Sequence, residues 1–386
     1  MRRAGPLPLH VLISGKPMFR RTILIALSSL LLLGPAAASA ALCTDETQKV
    51  QVAIAACSAA ISDTEDAGEK ARLLTKRAKL QRRSGDPEAA EASIGDAIEL
   101  APGLADAWIE KGYLENGLGN VDAAVAAHVQ ARDVEPDYWR AAVVLLGTLA
   151  DAGRYQQCIE DAPRAVELAP ERAHTYAFRG RCLYETGRVE HAIADYERAA
   201  EIGLEEAFLF SNLSLALLDV GRNAEALEAA KHAVSLDFSH ELGQWTLVEA
   251  LLLLNRNEEA VEAYQATQAA GLPDTLGRAN ELAWLLYDAG EAEAARPVME
   301  AYFAADPALG AEQAFEADTY AHILAALGEG EQAVEMFRLA ARLGGPEKLA
   351  GYQSALEQMG LSTGDDELEV ALRRCVERGA DCRISE

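Results

Sequence analysis

The sequence predicts an all-α solenoid of stacked helical hairpins, and three observations carry that expectation. Ala90, Ala124, Cys158, Ala192, Ala226 and Ala260 recur every 34 residues. Gly85, Gly119, Gly153, Gly187 and Gly221 keep the same step, with Asn255 sixth. Pro102, Pro136 and Pro170 share it. Independent marks with one period and one phase define a helix–turn–helix repeat. At 386 residues the chain exceeds the size of a single core. Stacking resolves this, because each hairpin buries on its neighbours the apolar face it cannot cover alone.

Each element of the repeat has a local cause. In the fourth repeat the first helix (helix A) is expected near 173–186 and the second (helix B) near 188–202. Gly187 between them permits a left-handed turn. The small residue at the Ala192 position lets the two helices approach closely. Proline at the repeat end cannot continue helix B. The register reads 71–104, 105–138, 139–172, 173–206, 207–240, 241–274, 276–309 and 314–347, with short insertions near Thr275 and Gly310–Gln313.

Repeat two carries Trp108, Lys111, Gly112, Glu115, Ala124, His128, Ala131 and Pro136. Repeat four carries Tyr176, Arg179, Gly180, Leu183, Ala192, Tyr196 and Ala199. These residues resemble the tetratricopeptide repeat over 71–347. The resemblance implies a right-handed superhelical solenoid of about eight repeats with helical caps. It also implies a protein or peptide partner held in a concave groove lined by helix A. Carried over by position, that groove would take Arg72, Lys76, Lys79, Arg82 and Arg83 from repeat one. Tyr113 and Asn116 follow from repeat two, and His174, Phe178, Arg181 and Tyr184 from repeat four. Phe208, Ser211 and Asn212 come from repeat five, and Trp245, Trp284, Tyr287, Phe315 and His322 from repeats six to eight. The basic run Lys70–Arg83 has two readings. It can bind an acidic peptide or carboxylate through charge-assisted hydrogen bonds, or it can neutralise nearby acidic groups such as Glu88 and Glu91.

The ends read as caps. Thr44 is placed to cap a helix running to Ser62, so residues 41–70 are expected to form a capping half repeat. Beyond the repeats, 347–359 and 365–377 read as two further helices within a C-terminal cap over 348–386. Residues 1–40 are expected to be a secretory signal peptide: Arg20 and Arg21, a short apolar run from Ile23 to Leu33, then small residues to Ala38-Ser39-Ala40. That signal is complete from Met18, which is then the expected start. Acylation of Cys43 is the weaker alternative, because Leu42 stands where a small residue is expected. A periplasmic or secreted location follows, with no stable membrane insertion after cleavage.

Charge and motifs narrow the function. The formal net charge is −26, and residues 1–40 hold five basic and no acidic side chains, so the remainder stands at −31. Such a surface repels nucleic acid. The six cysteines all follow the expected cleavage site, an even count suited to disulfides in an oxidising compartment. Their placement suggests Cys43–Cys57, Cys158–Cys182 and Cys375–Cys382, though six cysteines permit fifteen connectivities. H-E-x-x-H, G-x-S-x-G and Walker-type sequences do not occur. The expected function is therefore an interaction scaffold rather than an enzyme, with no metal and no cofactor. An enzyme of unrecognised type and a self-associating structural protein are the alternatives, and oligomeric state stays open.

Overall fold

The computed structural model describes residues 35–45, 48–271, 278–305, 310, 313–361 and 368–384. These form nineteen α-helices and a closing 3-10 turn, with no strand among the described residues. The chain divides into two compact units, 1–170 and 171–386. Each is an all-α helical-repeat solenoid.

In unit one, α1 (Pro35–Thr44) and α2 (Val50–Asp63) precede three repeats. These pair α3 (Ala67–Arg83) with α4 (Pro87–Leu100), α5 (Ala105–Gly117) with α6 (Val121–Val134), and α7 (Trp139–Asp151) with α8 (Tyr155–Leu168). Thr44 is a correction: it ends α1 rather than starting a helix, and the next helix begins at Val50 without a side-chain cap. The cause is the alanine-rich stretch Pro35–Leu42, a strong helix former with proline in its favoured first position. Cys43 and Cys57 are bonded with Cα atoms 4.6 Å apart, which fastens the end of α1 to the middle of α2. The N-terminal cap is thus a whole hairpin. The expected processing site Ala38-Ser39-Ala40 falls inside α1, and residues 1–34 lie outside the described residues.

Unit two runs through α9 (Ala173–Glu185), α10 (Val189–Ile202), α11 (Ala207–Asp219), α12 (Asn223–Leu236), α13 (Glu241–Leu253) and α14 (Asn257–Ala269). It continues with α15 (Arg278–Asp288), α16 (Ala292–Ala305), α17 (Ala314–Ala326), α18 (Gly330–Gln358) and α19 (Leu368–Val376). Helix α18 joins the last repeat to the cap across a break at Gly345, where φ is +70°, and Pro346 restarts it. Thr275 and residues 311–312 of the expected insertions lie outside the described residues.

The periodic marks have physical work at each turn. Gly85, Gly119, Gly153, Gly187, Gly221, Gly290 and Gly328 all adopt positive φ. Asn255, in the same place, is the one non-glycine with positive φ among the described residues, at 56°. The small residues from Ala90 to Ala260 are all fully buried. A second close approach lies opposite them. A Cβ on Gly112 would stand 2.2 Å from His128 Nε2, and one on Gly180 would stand 2.8 Å from the Tyr196 ring. Both rings are buried helix-B core residues. Gly112→Ala is therefore expected to destabilise the chain by about 2 kcal/mol through overpacking. A urea transition unmoved by the substitution would contradict this contact.

Candidate functional site

In unit one the helices A α3, α5 and α7 lie side by side, and in unit two so do α9, α11 and α13, and likewise α15 and α17. Their exposed face is where the resemblance puts a ligand. In unit one the face centres on a charged cluster. Glu110 on α5 is buried, its side chain 2% exposed. It accepts from Arg82 Nη2 on α3 at 2.9 Å and from Arg140 Nη2 on α7 at 3.4 Å. Arg140 Nη1 also donates to Asp106 at 2.6 Å, and the Tyr138 hydroxyl donates to the same carboxylate oxygen at 3.0 Å. Arg82 lies over the Tyr113 ring, 5.1 Å from its centroid. Burial pushes the Tyr113 phenol up, opposed by Arg140 and Arg82 and assisted by Glu110. It stays neutral at pH 7. Two guanidinium groups are thus fixed by internal carboxylates while about a quarter of each remains exposed.

The basic run splits. Lys76, Lys79 and Arg83 line a cleft with Cys43, Asp45, Gln48 and Val50 of the N-terminal hairpin. Arg77 turns away to Ser93 on α4, at 3.0 Å. Arg72 pairs with Glu69 on its own helix at 2.9 Å, exposed to solvent. Asn116 is exposed at the end of α5. The run therefore does not act as one patch. Arg140 and Glu110 complete the charged cluster and are not among the residues that the sequence pattern singles out.

In unit two, three half-exposed rings form a row across two repeats. His174 and Phe178 on α9 stand 5.7 Å apart, and His174 and Phe208 on α11 stand 6.5 Å apart. His174 Nε2 is 3.2 Å from Glu206. Arg181 is half-buried beside them in sequence. The Tyr184 hydroxyl donates to Asp219 at 2.8 Å, and burial followed by that carboxylate pushes the phenol up. Asn212 donates to the Phe208 carbonyl of its own helix at 2.8 Å, and Ser211 is buried.

The last repeats hold three corrections. Trp245 is 6% exposed and belongs to the core, because helix α13 is apolar on more than one face. Tyr287 is 4% exposed and His322 2%, covered by the C-terminal segment of the same chain. Trp284 and Phe315 stay exposed. Cys158 and Cys182 are buried, each in its own unit, and no described cysteine is a free thiol. Cys375 and Cys382 are bonded, their Cα atoms 5.0 Å apart. No three His, Cys, Asp or Glu side chains among the described residues stand together as metal ligands. What the helix-A faces offer is contact chemistry: fixed cations, amphipathic rings and hydrogen-bond donors.

Comparison with known proteins places the repeats. Residues 66–207 match the bacterial transcriptional activator domain, and residues 212–275 match the tetratricopeptide repeat. No curated protein sequence matches the chain. Among solved structures, the APC/C hetero-tetramer Cut9–Hcn1 is similar with a TM-score of 0.50 and 14% identity, over 79% of this chain and 59% of that one. The type IV pilus biogenesis factor PilW is similar with a TM-score of 0.48 and 20% identity, over 52% and 92%. A thermophilic TPR protein of Thermus thermophilus has a TM-score of 0.39 and 21% identity, over 47% and 99%.

Proposed function

Because the chain belongs to the tetratricopeptide-repeat proteins, we propose that it is a non-catalytic scaffold that holds an extended peptide or protein partner on its helix-A faces. One observation carries the reading. Adjacent helices A present His174, Phe178 and Phe208 as half-exposed rings 5.7 and 6.5 Å apart. Such rings supply amphipathic area at low entropic cost, which is what an interaction surface selects. In unit one, Arg82 and Arg140 add held guanidinium edges suited to a partner's carboxylates. A periplasmic or secreted site of action is part of the proposal. The Cys43–Cys57 and Cys375–Cys382 bonds support it, since such bonds persist in oxidising compartments.

The test is capture of a partner from the envelope fraction of the native cell, with cross-linking. Wild-type chain is expected to retain one stoichiometric protein, and Phe178→Ser with Phe208→Ser to lose at least about tenfold of it, the worth of a single hot-spot side chain. Equal capture by the double variant sinks the assignment to this face.

A further inference from the structure

The helix-A face of the last two repeats already carries a peptide. After α19 the chain turns through Gly379–Asp381 and comes back over α15 and α17. Ile384 is 2% exposed, and its backbone N–H donates to His322 Nε2 at 3.2 Å. His322 Nδ1 lies 2.8 Å from the Asp318 carbonyl, which can only accept. The proton therefore sits on Nδ1, leaving Nε2 as the acceptor for the tail. Arg383 lies over the Tyr287 ring at 5.6 Å and donates to Asp288 at 3.3 Å. The Tyr287 hydroxyl donates to the Ala380 carbonyl at 3.4 Å. The Cys375–Cys382 bond ties the returning segment to the end of α19.

We propose that this face is a receptor for an extended basic–aliphatic peptide segment, and that the chain's own Arg383–Ile384 holds it closed. The inference rests on the reading of helix-A faces as binding surfaces. The tail shows the recognition chemistry directly. The main-chain N–H of the incoming segment is read by His322, its aliphatic side chain is buried, and the preceding cation takes an aromatic face and a carboxylate. Tyr287 and His322 sit at groove positions of the repeat, and the tail bonds to both of them. A partner segment of the same character would reach them by displacing it.

Two measurements test this without the unknown partner. In the full chain, hydrogen exchange at the Ile384 amide is expected to be slowed at least about 100-fold by its bond to His322. Exchange at the unfolded rate would overturn the proposal. The second uses a labelled synthetic peptide of residues 377–386 with its cysteine replaced by serine. A chain ending at Cys382, which keeps the disulfide, should bind this peptide. The full chain should bind it about tenfold more weakly, the ratio for a tethered competitor near millimolar effective concentration at a site of roughly 100 µM affinity. A peptide with aspartate in place of both Arg383 and Ile384 should not bind. Should the shortened chain misfold, Ile384→Asp in the full chain frees the same face. Equal binding by closed and opened chains, or no binding to either opened form, overturns the proposal. Neither arm depends on the ring row of α9 and α11, so loss of partner capture there is a separate result.

Discussion

Glu110→Ala is expected to lower the unfolding free energy by about 4 kcal/mol, the cost of removing one partner from a buried ion cluster. Arg82 and Arg140 reach the same buried carboxylate from different repeats, at 2.9 and 3.4 Å. Without it both guanidinium groups lose a carboxylate partner, and Arg82 Nε is already buried without a hydrogen-bond partner. Glu110→Gln keeps the shape and one acceptor oxygen, so it should cost roughly half as much. Urea denaturation of the three proteins checks the order. A loss below about 1 kcal/mol in the alanine variant would mean that the cluster behaves as an exposed surface pair.

The second large effect is acid sensitivity centred on His128. Its ring is buried, with Nε2 3.1 Å from the Ile109 carbonyl and Nδ1 2.7 Å from the Thr148 hydroxyl. Burial, its largest cause, lowers the imidazole pKa to about 4 against the Ile109 bond, and Arg140 adds to the fall. The unfolded chain binds its proton near pH 6.5 and the folded chain only near pH 4. Stability from this group is therefore complete above pH 6.5. It declines as pH falls toward 4, by up to about 3 kcal/mol in all. His128→Phe places there the residue that repeat eight holds in the same position, Phe337. Between pH 7 and 4 the variant is expected to lose about 3 kcal/mol less than wild type, as read from paired denaturation curves. Parallel curves would refute the assignment.

The legible and illegible parts of the chain differ in a physical way. The turn glycines were readable because a left-handed backbone is a property of one residue and its neighbours. Asn255 could be placed by phase alone, and its φ of 56° follows from asparagine's tolerance of that region. The tight contacts of Gly112 with His128 and Gly180 with Tyr196 are within one hairpin, so their spacing also repeats. The candidate site was harder. Positional carry-over found Arg82, Tyr113, His174 and Phe178 as surface residues, but it could not show that Arg82 is held by a buried carboxylate. That depends on Arg140, which lies 58 residues further along the chain. Thr44 failed for the opposite reason. A good capping residue was overridden by a better helix behind it.

The period, the two-helix unit, the turn geometry, the small residues at the helix crossings and the outward surface of helix A are all legible in the order of residues. Those are consequences of local conformational energy and of a hairpin's need to bury one face. Tertiary structure alone decided which parts of that surface are open. Tyr287 and His322 occupy positions that the repeat pattern leaves facing outward. Both are buried, and the tail reaches them from far along the chain: Ala380 accepts from Tyr287, and Ile384, 62 residues beyond His322, donates to it. A repeat pattern reports which way a side chain points, and only the folded chain shows what has been laid over it.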